Sequence, residues 1–340
     1  MSTPTKQEDP NALPDLATSQ SHDLRRSAKR FGDSLFRGLS TSSGLLILVI
    51  LAAVAVFLVA LSLRAMLADP AELPITHESG VPLRSFWEYA APFAFGTVWS
   101  SALAMLFAVP VAVGIALFLT HYAPKRVAQI FGYIIDLLAA VPSVVFGLWG
   151  ITVLAPMTRP AFMWLNDNLG DKPVLRHVFG GDLSGTGRTI LTAALVLAVM
   201  VLPIITAISR EVFTQTPRLH EEASLALGAT RWEMIRQAVL PFGKPGIISA
   251  CMLGLGRALG ETMAVAMVLS PSTIISFQLL TSSNPSTIAA NIALNFPEAV
   301  NEMASSQLIA TGLVLFVITL AVNMTARWII NRRKEFSGAN

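Results

Sequence analysis

Residues 43–63 read SGLLILVILAAVAVFLVALSL, 21 positions without a charge. As an α-helix, at about 1.5 Å per residue, this stretch reaches roughly 31 Å, the thickness of a bilayer's hydrocarbon core. In hydrocarbon every backbone N–H and C=O must be paired within the segment, so a helix is the form that a single apolar run can take. Similar blocks predict five further spans, at Thr97–Thr120, Ala128–Ala155, Thr189–Ile208, Gly246–Ser270 and Gln307–Ala326. The expected fold class is therefore an all-α membrane protein with six transmembrane helices.

The composition agrees. Of 340 residues, 53% are hydrophobic and 13% charged, against about 25% charged in a soluble domain. The single cysteine, Cys251, excludes an intrachain disulfide. The net charge of +3 is small, and no long basic stripe with interleaved aromatics points to nucleic acid. Residues 1–24 are polar and read as a disordered tail, and Arg25, Arg26, Lys29, Arg30 and Arg37 follow. The Arg25–Arg26 pair resembles an export signal, but the apolar run lies well downstream and is too long for one, so an uncleaved first span is expected.

Basic residues set the orientation. With the N-terminus inside, the inner segments carry the arginine-rich tail and then Lys125 and Arg126. They also carry Arg210, Arg218, Arg231, Arg236 and Lys244, and finally Arg327, Arg332, Arg333 and Lys334. The outer stretch from Pro271 to Ser306 has no Lys or Arg, while residues 158–188 dissent with Arg159, Lys172, Arg176 and Arg188. The majority follows the positive-inside rule and predicts both termini in the cytoplasm. The expected organisation is a polar segment 1–42, a transmembrane domain 43–328 with an inner loop at 209–245, and a tail 329–340.

That inner loop reads as folded. Thr216 can cap a helix that opens at Pro217, and Gly228 offers its stop. Thr230 and Glu233 have the spacing of a capping box for a second short helix, which Pro241 is expected to end. Glu222-Ala223-Ser224, then Gly228, then Leu240-Pro241 resemble the EAA loop of ABC-importer permeases. Ser224 departs from the pattern's second alanine and Ala238 from its usual isoleucine. In that family the loop forms a coupling helix seated in a cleft of the ATPase, which implies that role for these six residues.

Two further motifs narrow the resemblance. Residues 139–147, AAVPSVVFG, are similar to a segment of phosphate permeases. Residues 254–265, GLGRALGETMAV, resemble the PstC-type rather than the PstA-type subunit, because Met263-Ala264-Val265 follows the Gly-Glu-Thr. The resemblance spans roughly residues 30–335. It implies the permease subunit of a phosphate ABC importer in the bacterial inner membrane. The implied partners are a homologous PstA-type permease, two ATPase subunits that bind ATP and Mg, and an extracytoplasmic phosphate-binding protein.

Arg257 and Glu261 carry the sharpest chemistry. Four residues apart, they would share a helix face and touch. An ionised group at mid-membrane costs about 2.5–3.5 kcal/mol even on insertion scales, so such groups face a bundle interior or a polar path. A guanidinium fork suits phosphate oxygens, and a nearby carboxylate would temper its grip so that the anion can leave. The alternative is a structural ion pair that pins helices. Asp136 is a further candidate for the pathway, paired with Arg257 or facing inner water. Gly256 and Gly260, also four apart, predict close helix packing, and Pro110, Pro142 and Pro203 predict kinks.

No nucleotide-binding phosphate loop occurs: Gly243-Lys244 lacks the upstream glycine and is followed by Pro245. Energy is therefore expected from a docked partner, and no hydrolytic constellation marks the chain as an enzyme. His22, His77, His121, His177 and His220 are expected in loops without metal-ligand spacing. The glycine-rich stretch 180–188 is expected to be a flexible surface loop, and residues 271–306 to leave room for a binding protein. Rival readings are a permease for molybdate or sulfate, an ion-coupled secondary transporter, which the elbow argues against, and a membrane-embedded enzyme, which lacks a convergent nucleophile or metal set.

Overall fold

The computed structural model describes residues 31–69, 73, 84–270 and 272–334. The expected polar segment before Phe31, with Arg25, Arg26, Lys29 and Arg30, lies outside the described residues, as do His22 and His77. Packing divides the chain into Met1–Val56 and Phe57–Asn340. In the first unit the described residues form the leading part of helix α1, Phe31–Leu67. Each side chain from Leu45 to Leu51 is more than half exposed, the surface a lipid-facing span presents.

The second unit is built around one helix that is apolar on all sides and therefore buried. After Ser85, whose hydroxyl accepts from the Glu88 N–H, α2 runs Phe86–Leu117 and continues as a π-helical turn, Phe118–Tyr122. The central helix, Ile190–Thr214, is capped by Thr189, which accepts from the Thr192 N–H at 3.1 Å. Its Ile190, Leu197, Met200 and Ile205 are almost fully buried. Along α2, Ala104, Ala108, Ala112 and Ala116 stand four apart and at most 1% exposed. Without a hydrophobic drive between helices in lipid, such a small-residue ridge lets two backbones approach and gain dispersion contact.

Six helical stretches among the described residues are long and apolar enough to cross a membrane. They are Ser34–Leu67, Phe86–Tyr122, Ser143–Leu169, Ile190–Thr214, Arg231–Leu259 and Glu302–Ile329. The six-span fold stands, but two spans lie elsewhere than expected. The third, expected at Ala128–Ala155, is divided. Helix α3 ends at Ala139 after starting at Lys125, and at roughly 22 Å it is too short to cross. Pro142, which donates no N–H and disfavours helix before it, sits extended at φ −59°, ψ 140°. The span then begins afresh with α4, Ser143–Trp149, passes a π-turn at Gly150–Leu154 and ends as α5, Ala155–Leu169. A short helix α6, Arg176–Phe179, follows, and then the central helix, α7.

The fifth span is displaced toward the N-terminus. Helix α8, Arg218–Ala226, is followed by α9, Arg231–Met234, a π-turn at Ile235–Val239 and α10, Leu240–Leu259. Pro241 does not end this rod as expected. It follows the π-turn, in the first turn of α10, where no N–H is required of it. Pro110 and Pro203 lie inside α2 and α7.

The stretch 180–188 is not the free surface loop expected. The Ser184 N–H donates to the Leu280 carbonyl, and Arg188 donates from Nε to the Val268 carbonyl and from Nη2 to that of Met267. The guanidinium thus covers the carbonyl end of α11, Met263–Val268. The predicted outer loop also turns inward. Residues 284–291 are buried, the Ile288 N–H donates to Thr97 Oγ1 at 2.9 Å, and Asn291 Nδ2 donates to the Tyr89 hydroxyl at 2.8 Å. Gly96 makes room: a Cβ there would lie 2.3 Å from the Ser286 carbonyl oxygen. Irregular backbone survives inside a membrane protein when packed in this way. Helices α12, Ile288–Asn295, and α13, Glu302–Lys334, complete the described chain.

Candidate functional site

Local chemistry builds the elbow much as its sequence implies. Gly228 adopts φ +87°, the left-handed conformation that closes α8. Its N–H donates to the Leu225 carbonyl and that of Ala229 to the Ser224 carbonyl. The capping box is present: the Glu233 N–H donates to Thr230 Oγ1, and the Thr230 N–H to Glu233 Oε2 at 2.8 Å. At the other end, Pro217 itself is the cap residue, and Thr216 is buried with its hydroxyl unpartnered.

The six loop residues sort by exposure. Glu222, Ala223 and Gly228 are exposed, and Ser224 is half-buried. No residue of α8 is buried, and Leu219 and Leu227 are 78% and 90% exposed. Leu240 instead faces inward, against Phe213, Met234, Ile235 and Val239. Leu240 and exposed Pro241 lie at the start of α10 and not on α8. The elbow is thus an exposed helix on an apolar footing.

Deeper in the chain, Arg257 and Glu261 are not joined as expected. Helix α10 stops at Leu259, and Gly260 and Glu261 form the corner before α11. A four-residue spacing brings side chains together only on a continuous helix, which this corner interrupts. The Glu261 carboxylate, 7% exposed, accepts the Ala264 N–H at 3.2 Å. It therefore serves the positive N-terminal end of α11. Arg257 is half-buried, and its Nε is buried without a hydrogen-bond partner. No ion pair joins it to Glu261 or Asp136 among the described residues.

Asp136 belongs to a different place. On α3, its Oδ2 lies 3.7 Å from Nη2 of Arg210 on α7. The Arg210 guanidinium lies over Gly132, where a Cβ would be 2.1 Å from Nη1. Both border a cavity of about 370 Å³ with Thr120, Gln129, Tyr133 and Thr214. Among the described residues the Gly256 and Gly260 pair does not pack helices: none lies within 4 Å of a Cβ at Gly256. Gly254 does so instead, against Ile205.

Sequence reasoning missed Arg210, Glu221 and His121. Glu221 Oε1 lies 3.7 Å from His121 Nε2, joining α8 to the π-turn that ends α2. His121, His177 and His220 lie in helical turns and not in loops. Long-range pairs leave no local pattern in the sequence.

Comparison with known proteins places this geometry. Residues 108–335 match the family described as binding-protein-dependent transport system inner membrane component. The phosphate transport system permease protein PstC 2 of Mycobacterium bovis is 44% identical over 310 residues, 89% of this chain and 93% of that protein. PstC of Mesorhizobium japonicum is 39% identical over 329 residues, 96% and 98% of the two chains. A bacterial ABC transporter involved in the import of the acidic polysaccharide alginate shares the fold. It has a TM-score of 0.57 at 15% identity, covering 92% of this chain and 99% of its own. The family's span takes in the elbow, the α10–α11 corner and the last four membrane helices, and the chain belongs to the binding-protein-dependent transport system inner membrane components.

Proposed function

We propose that this chain is the PstC-type permease subunit of an ATP-driven phosphate importer of the bacterial inner membrane. Phosphate passes Arg257 in transit. The observation that carries this reading is the guanidinium itself. It sits at the end of an apolar helix, with Nε buried and unpartnered and, among the described residues, no ion pair to a carboxylate. A charge held at that cost in an apolar span favours a ligand or a passage in front of it, and its planar fork of donors matches an oxyanion. Glu261 orders the corner that presents Arg257, and Asp136 holds Arg210 at the inner cavity. The names of the relatives supply the choice of phosphate.

Work reaches this point from outside the chain. An ATPase pair, binding ATP and Mg, docks on α8 through Glu222, Ala223, Leu219 and Leu227. From Arg231 to Leu259 the backbone is helical without interruption, so roughly 39 Å of rod separates the elbow from Arg257. Displacement of the elbow therefore moves the α10–α11 corner. A homologous PstA-type permease completes the passage, a phosphate-binding protein delivers substrate from outside, and both termini lie in the cytoplasm.

The test is phosphate uptake by the complete importer in proteoliposomes. Arg257→Gln is expected to lower uptake about tenfold or more, the value of a charge-assisted hydrogen bond, with Arg257→Lys intermediate and complex assembly unchanged. Wild-type uptake by the Gln variant would refute the role of Arg257. Stronger competition by molybdate or sulfate than by unlabelled phosphate would reassign the substrate, and uptake that persists without the ATPase would favour a secondary transporter.

A further inference from the structure

The elbow helix turns two adjacent glutamates in opposite directions. Glu222 is exposed, whereas the Glu221 side chain is only 25% exposed and reaches back toward the membrane domain. There its Oε1 lies 3.7 Å from Nε2 of His121, whose side chain is 9% exposed. The imidazole is held from its other side as well. Nδ1 lies 2.7 Å from Thr120 Oγ1, and that hydroxyl is itself 2.9 Å from the Ala116 carbonyl one turn back. A ring fixed at one nitrogen has its second nitrogen aimed. In this case it is aimed at the elbow.

The surroundings make the contact stiff. The π-turn holding His121 continues α2 without a break, and Ala116 and Leu117 beneath it pack with Phe213, Met234, Ile235 and Val239 at the foot of the elbow. Among the described residues, His121–Glu221 is the one contact within 4 Å between an acidic and a basic side chain that joins α8 to a membrane helix. The α9–α10 rod reaches Arg257 by one path; this pair gives the elbow a second, to the helix that packs along α7 and receives the inward-turned segment at Gly96 and Thr97.

We propose that His121 and Glu221 are positioning residues that fasten the coupling helix to α2, so that elbow displacement moves the α2–α7 core as well as α10. The inference rests on the importer function proposed above. Neither residue touches the transported anion; the pair acts by fixing the angle of α8.

The experiment uses the complete importer in proteoliposomes and reads phosphate taken up per ATP hydrolysed. Glu221→Gln, His121→Gln and the double variant are compared. Each single change is expected to lower that ratio about fivefold, a usual size for coupling between sites, with ATP hydrolysis maintained. The double variant is expected to be no worse than either single, because both remove the same contact. An unchanged ratio, or losses that multiply in the double variant, would overturn the proposal. A second readout does not depend on phosphate. Spin labels at the exposed positions Arg218 and Phe118, with Cys251 replaced, report the spacing of α8 and α2. ATP binding is expected to leave that spacing fixed in the wild type and to change it in Glu221→Gln. Equal behaviour of the two would refute the pair even if the wild type hydrolysed ATP and moved no phosphate, a result that would by itself refute the function proposed above.

Discussion

Glycine shows how differently one residue type can be used in this chain. At Gly96 a Cβ would meet the Ser286 and Pro285 carbonyl oxygens at 2.3 and 2.7 Å. Backbone oxygens held by a packed segment cannot step aside. Gly96→Ala is expected to destabilise by about 2 kcal/mol or more, as overpacking in a core does, measured as a lowered unfolding midpoint in detergent. At Gly256 nothing lies within 4 Å, so Gly256→Ala should be neutral or gain up to about 1 kcal/mol from helix propensity. If Gly256→Ala is neutral in the isolated chain yet impairs assembly with the second permease proposed above, the open glycine face is where that proposed partner sits. From the sequence, the Gly256–Gly260 spacing announced close packing, and Gly96 carried no such mark. What decides each position is the neighbour, and the Ser286 carbonyl comes from far along the chain. Arg210 and Asp136 escaped notice as a pair for the same reason, whereas the Thr230–Glu233 box was legible because four consecutive residues contain all of it.

Elements were legible where their signals were local and obscured where hydropathy alone decided. Apolar residues continue across Val141–Pro142 and flank Gly260–Thr262, where Glu261 is the single charged residue, so an averaged hydropathy reading passes through both corners. The chain stops there because Pro142 withholds an N–H and because Glu261 caps a new helix with its carboxylate. Proline was also a fallible stop, since at Pro241 the π-turn before it had already shifted the hydrogen-bond register. The elbow allows a sharper test of element-scale reasoning. Gly228 has φ +87° with open space around it, so a substitution there acts through backbone strain and not through a clash. Gly228→Ala should cost about 1 kcal/mol or somewhat more. Because α8 is held by few buried contacts, that strain should loosen the elbow without unfolding the spans. The expected outcome is weakened ATPase binding in a pull-down with an unchanged unfolding midpoint. Equal loss of both would show that the elbow and the membrane core unfold together.

At the scale of the whole molecule, the six-span fold and its charge asymmetry together assign opposite faces to two exposed positions. Leu227, 90% exposed at the tip of the elbow, follows the fourth span, and Ser282, exposed in the segment after the fifth, belongs to the other side. The inward-turned stretch adds a third position, since Ser286 is 2% exposed and lies over Gly96. With Cys251 replaced, single cysteines at these positions should respond differently to a membrane-impermeant maleimide. In right-side-out vesicles Ser282→Cys is expected to react and Leu227→Cys to be silent, with the order reversed in inside-out vesicles. Ser286→Cys should stay protected in both until the protein is unfolded. Labelling of 227 and 282 from the same face would remove one span from the count. Reversal of both would keep the fold and invert the orientation that the arginine-rich segments imply. Rapid labelling of 286 from outside would mean that the segment is open to the outer solution, and the packing of its backbone against Gly96 and Thr97 would then not hold in the membrane.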